Sequence, residues 1–176
     1  MRQEIRKFLH DKIAELLSLP LNKVIWANQG GYKQVVPLVT LMSYSERSEA
    51  MADVLPTTTP GEYELLTPTA FVLEVQYFGG KSLFPVDILS DFVSQFSRPT
   101  VVDSFMAAGV AFVYADPVQD IVTLLGNNQQ FEPRAVVDLH LRYTARVLDT
   151  PGIIDTVDIL GHTPRDLEFT VTTQEE

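Results

Sequence analysis

Between Arg2 and Leu17, Ile5, Phe8, Leu9, Ile13 and Leu16 recur three or four positions apart, while Lys7, Asp11 and Glu15 take the other side. This spacing predicts an amphipathic helix over residues 2–17. Ser18-Leu19-Pro20 ends it, because proline donates no amide and biases the preceding residue away from helical geometry. Val24-Ile25-Trp26-Ala27 reads as a short strand, and Asn28-Gln29-Gly30-Gly31 as a turn into a hairpin or corner. Val35 to Tyr44 reads as a second strand with Pro37 near its start, where a missing amide does least damage to a ladder.

From Ala70 to Phe78 the pattern switches to period two. Phe71, Leu73, Val75 and Tyr77 alternate with Glu74 and Gln76, as a half-buried strand requires. After Gly79-Gly80, Ser82 offers an N-cap hydroxyl and Pro85 suits a first helical turn. Val86, Leu89, Phe92, Val93 and Phe96 then form one apolar stripe, predicting a helix from Ser82 to Phe96. A shorter helix, Thr100 to Ala108, carries Val102, Phe105 and Met106 at helical spacing and closes on Gly109. Val110–Tyr114 and Asp120–Leu125 read as strands ended by Asp116-Pro117 and Gly126-Asn127-Asn128.

Arg134 to Thr150 is the clearest strand. Ala135, Val137, Leu139, Leu141, Tyr143, Ala145 and Val147 alternate with Asp138, His140, Arg142 and Arg146, over a length that could project beyond a sheet. Pro151-Gly152 turns the chain toward Ile153–Ile159, whose alternation marks it as the antiparallel partner of that strand. After Gly161 a polar tail, residues 161–176, is expected to fray.

One long segment lacks any period. Residues 45–69 carry three prolines and no alternation. A connection this long in a compact domain usually has a function or is mobile. Glu46, Arg47, Glu49 and Tyr63 are therefore candidate assembly residues, against the plainer reading of a surface loop.

Composition narrows the function. With 176 residues, 45% hydrophobic positions and no compositional break, the chain fits one domain, with a core over about 20–160. No apolar run approaches a bilayer's thickness and Met1–Lys12 lacks a signal-peptide stretch, so the expectation is a cytoplasmically made protein with no membrane role. The absence of cysteine removes disulfides and thiolate chemistry. A net charge of −10 repels phosphate and disfavours tight wrapping of nucleic acid.

Catalytic patterns are missing. His10, His140 and His162 are not spaced as zinc ligands, and no G-x-S-x-G elbow occurs. Gly79-Gly80-Lys81-Ser82 imitates the end of a P-loop, but Val75 stands where the first glycine belongs. Asp87 and Asp91, and the Asp138, His140, Arg142 row, read as solvated faces, and Trp26 as a core or corner residue. No enzyme, cofactor or metal is expected.

Three stretches, 24–42, 71–113 and 132–159, resemble the phage neck or tail terminator family. In that family a tryptophan precedes a glycine-bearing turn and a proline-led strand, and a later strand ends in an aromatic-glycine pair before the main helix. Trp26, Gly30, Pro37 and Phe78-Gly79 fit those positions. The pattern R-x-x-x-D-x-x-x-R-Y, opening a long strand, is met by Arg134, Asp138, Arg142 and Tyr143. The resemblance implies an α+β fold, with a mixed, largely antiparallel sheet packed against an N-terminal and a central helix. It also implies a homo-oligomer, a hexameric ring in the virion neck that ends tail-tube growth. Its partners would be the tail tube protein and head-tail connector proteins, with DNA passing through the lumen without specific binding. Arg134, Asp138, Arg142 and Arg146 join the candidate interface on this basis. Another connector or tail-completion protein is the alternative within the structural class, and a small nucleotide-binding enzyme or hydrolase the alternative outside it.

Overall fold

The computed structural model describes residues 2–27, 35–80, 84–125, 130–151, 157–162 and 168–173. The chain divides into two compact units, one of residues 1–51 and 67–145, the other of residues 52–66 and 146–176. The fold is α+β, as expected: three α-helices and a mixed, mostly antiparallel sheet of seven strands among the described residues.

In the first unit, α1 (Gln3–Leu16) buries Ile5, Leu9, Ile13 and Leu16, the stripe legible in the sequence. The strands that follow are β1 (Val24–Trp26) and β2 (Leu38–Ser48). Both the Asn28–Gly31 turn and Ser82 lie outside the described residues. β1 pairs with β2 in parallel, Val24 opposite Val39, so of the expected hairpin or corner the hairpin is excluded. β4 (Tyr63–Phe78) runs antiparallel to β2 from Leu38↔Phe78 to Ser48↔Thr69. Next come α2 (Pro85–Ser94) and α3 (Pro99–Ala107). The N-cap of α2 is Phe84, with no side-chain cap, and Pro85 sits in its first turn, where a missing amide is harmless.

Gly109, at φ 69°, takes the left-handed position that closes α3. The buried face of α3 is Val101 and Phe105. Val102 and Met106, grouped with Phe105 by the sequence pattern, are exposed instead, because i, i+4 spacing from Val101 fixes which side meets the sheet. β5 (Val110–Ala115) and β6 (Gln119–Leu125) both run antiparallel to β7 (Gln130–Asp149), against its successive stretches. The sheet order is β1-β2-β4-β7-β5.

Phe71, Leu73, Val75 and Tyr77 of β4 and Ala135, Val137, Leu139, Leu141 and Tyr143 of β7 form one core with the buried faces of all three helices. Its floor is aromatic. Phe96 packs 5.2 Å from Phe92, 5.4 Å from Phe105 and 4.5 Å from Phe112, and Phe8 meets Phe105 edge-on at 5.1 Å. Trp26 sits half-buried at the margin with the Arg6 guanidinium 5.4 Å from its ring.

The unpatterned segment 45–69 is corrected by the structure. β2 extends to Ser48, and in the second unit β3 (Asp53–Pro56) pairs with Tyr63–Leu66 of β4. Val54 and Leu55 are exposed; with neither side of β3 buried, alternation has nothing to select it. Pro56 ends β3, Pro60 lies in the turn, and the Pro68 carbonyl accepts from the Glu49 amide, so no proline withholds a needed donor.

Two further expectations are overturned. Among the described residues, β8 (Val157–His162) pairs with β9 (Glu168–Thr173) as a separate two-stranded sheet, and not with β7. β9 occupies residues assigned to a fraying tail; its Phe, Val and Thr content favours strand over coil.

Leu89 is fully buried on α2, so Leu89→Ala should cost about 2–5 kcal/mol in denaturant unfolding. A loss below about 0.5 kcal/mol would mean that the stripe of α2 does not close the core.

Candidate functional site

Alternation places the even-numbered residues of β4 and β7 on the sheet face turned away from the helices. Many of the side chains there are polar and paired with one another. Tyr44 of β2 donates its phenol to Asp138 Oδ2 of β7 at 2.5 Å, reaching past β4. Arg142 Nε lies 2.7 Å from Glu49 Oε2. His140 Nε2 is 3.1 Å from Asp116 Oδ2, and its ring stacks on Tyr114 with centroids 4.0 Å apart. At the far end of β7, the Arg134 guanidinium lies 5.4 Å from the Phe78 ring. Tyr44, Arg47, Glu49, Tyr114, His140 and Arg142 line a cleft of about 370 Å³ on this face.

A β-bulge decides which residues meet here. Tyr44 is opposite Val72 but Arg47 is opposite Ala70, so Ser45 and Glu46 together face one residue, Phe71. Ser45 adopts φ 54° to allow it. The extra residue inverts the face order of β2. Glu46 moves to the helix side, where it accepts a very short hydrogen bond from Tyr143, while Arg47 and Glu49 return to the open face. Tyr143 is also held edge-on against Phe71, 5.8 Å between centroids. Burial and then the Glu46 carboxylate push its phenol up to about 12. Tyr44 is raised too, by burial first and by Asp138 second.

The residues singled out in the sequence therefore divide. Arg47, Glu49, Asp138 and Arg142 share the open face, with Arg134 farther along it, whereas Glu46 lies on the opposite face. Tyr63 and Arg146 belong to the second unit, where Arg146 Nη1 is 3.4 Å from Glu64 Oε1. Each member of the R-x-x-x-D-x-x-x-R-Y pattern holds β7 to a residue outside it: Arg134 to Phe78, Asp138 to Tyr44, Arg142 to Glu49 and Tyr143 to Glu46. Tyr44, Tyr114 and Asp116 were missed because only strand order and register bring them to β7. Two buried polar atoms, Arg134 Nε and Asp138 Oδ1, have no hydrogen-bond partner among the described residues.

The chemistry of this face is pairing. No group of three or more acidic or histidine side chains among the described residues could hold a metal. The P-loop imitation does not open a phosphate cradle at its first glycine, since the Gly79 amide is already donated to the Pro133 carbonyl at 2.9 Å. Asp87 and Asp91 are exposed on α2. No described helix is long and apolar enough to cross a membrane.

The first unit is thus a one-sided α+β sheet whose open face carries side-chain pairs between strands. The chain belongs to the phage neck terminator family, whose model matches residues 1–166. That family comprises structural neck proteins of the virion tail and is not a known enzyme family. Membership implies interaction with other phage tail and head proteins. No curated protein matches the chain.

The Tyr143 shift has a sign. Because the folded state holds a proton that the unfolded chain, near 10, gives up, the contribution is complete below about pH 10 and is lost as pH rises through about 12. Tyr143→Phe should flatten the alkaline fall in unfolding free energy. An unchanged fall would place the effect elsewhere.

Proposed function

We propose that this chain is the subunit of a closed six-membered ring that caps the tail tube and joins it to the head connector. The family match over residues 1–166 carries the reading. The paired polar face supports it, because cross-strand ties give a subunit a rigid surface to present to its neighbours. Glu46, Arg47, Glu49, Tyr63, Arg134, Asp138, Arg142 and Arg146 remain the proposed assembly residues. The buried Arg134 Nε and Asp138 Oδ1, unpartnered among the described residues, are atoms that an enclosed water would satisfy. The single-domain organisation belongs to the same proposal and would appear as one cooperative unfolding transition.

Charge bears on the lumen. The second unit holds ten Asp and Glu against two Arg, whereas the first holds thirteen against eleven Lys and Arg. A ring of such subunits repels duplex DNA instead of gripping it.

Native mass measurement should give one discrete oligomer of six 19.7 kDa chains. A monomer at working concentration would overturn the ring. Duplex binding in a mobility assay should be weak and disappear near physiological salt; persistent binding would overturn the passive channel.

A further inference from the structure

The cleft on the open face holds a guanidinium with nothing bound to it. Ala70 and Val72 of β4 line it opposite Arg47 and Tyr44 in the ladder, and the small Ala70 side chain leaves a depression in the sheet between β2 and β7. Val113 and Tyr114 of β5, 42% and 51% exposed, add apolar surface. The carboxylates nearby are engaged: Glu49 by Arg142, Asp138 by Tyr44 and Asp116 by His140. The exposed Arg47 side chain has no hydrogen-bond or ion-pair partner among the described residues. The lining thus carries two Arg against one Glu, a positive spot on a chain of net charge −10. A guanidinium beside aromatic and aliphatic side chains suits a carboxylate flanked by an apolar residue.

The β3–β4 ladder presents that chemistry. Residues 52–66 contain Asp53, Glu62 and Glu64 and no Lys or Arg. Every residue of β3 is exposed, Leu55 at 46%. Asp53 stands across from Leu66 and Leu55 across from Glu64, so alternation sets Asp53, Leu55 and Glu64 on one side of the ladder. Glu64 lies 3.4 Å from Arg146 and Glu62 accepts from Thr57 Oγ1. Asp53 has no side-chain partner among the described residues. Two copies of so acidic a chain repel one another except where opposite charges meet. Arg47 in the cleft and Asp53 on the ladder are an exposed cation and an exposed carboxylate that each lack a counter-charge.

We propose that the β3–β4 ladder of one copy docks in the open-face cleft of the next, with Asp53 paired to Arg47 and Leu55 against the apolar wall of Val113 and Tyr114. The two surfaces differ, so the contact is heterologous and repeats head to tail, the symmetry a ring requires. This rests on the ring reading and names a contact within it.

Charge reversal tests the pair. Arg47→Glu and Asp53→Arg, both at exposed positions, should keep the wild-type melting curve, and each should raise the concentration needed for assembly by about tenfold or more, read by native mass measurement. Mixing the two variants should restore assembly, because each cleft then meets an arm of opposite charge in alternating order. The double variant should assemble alone. Unchanged assembly of both single variants would overturn the contact between copies and leave the cleft to another neck protein. Weakened variants that neither mixing nor the double substitution restores would overturn the Arg47–Asp53 pair. In either case an oligomeric wild type leaves the ring standing, whereas a monomeric wild type overturns both.

Discussion

One-sided burial of the β4 and β7 strands is the constraint on which the first unit depends. Their odd-numbered residues are sealed beneath α1, α2 and α3, and close packing there leaves little freedom to slide either strand. A slip of one residue would expose Phe71, Leu73, Leu139 and Leu141 together and bury Glu74 and Asp138 in their place. The dry face thus fixes the register of the wet one. Tyr44 reaches Asp138, and His140 meets Asp116, only because hydrophobic burial on the other side has already set the strands.

The bulge at Ser45 is the one place where β2 departs from this alternation. Without it Glu46 would lie on the open face and Arg47 on the helix side, and the reach of Glu46 to Tyr143 would be lost. With it, one carboxylate reaches the buried Tyr143 and another, Glu49, reaches Arg142 on the exposed side. Exposed ion pairs contribute little singly. Here they come as a set, because Arg142 and Asp138 sit on β7 while their partners are Tyr44 on β2 and Glu49, the residue that follows β2.

How much of this could be read from the sequence follows from the same burial. β4 from Ala70 and β7 from Arg134 were legible because one face is dry and the other is not. The α1 and α2 stripes were legible for the equivalent reason at helical period. β3 was not, since Val54 and Leu55 are exposed and no face selects a pattern. The parallel pairing of β1 with β2 and the pairing of β8 with β9 were hidden because alternation reports burial and says nothing of which neighbour supplies the ladder. Of the open face, the β7 row of Asp138, His140 and Arg142 was visible, but Tyr114 and Asp116 come from β5, and no spacing links them to it. The family pattern identified Arg134, Asp138, Arg142 and Tyr143 without revealing that each holds a residue outside β7.

The uneven charge of the two units gives the proposed ring its division of labour. Identical subunits brought together at high symmetry place like surfaces close to one another, so an interface built from the acidic unit alone would grow more repulsive with every copy added. The nearly neutral first unit has much less of this penalty in every copy. In the proposed ring, the −8 excess of each second unit would repel a polyanion and not grip it.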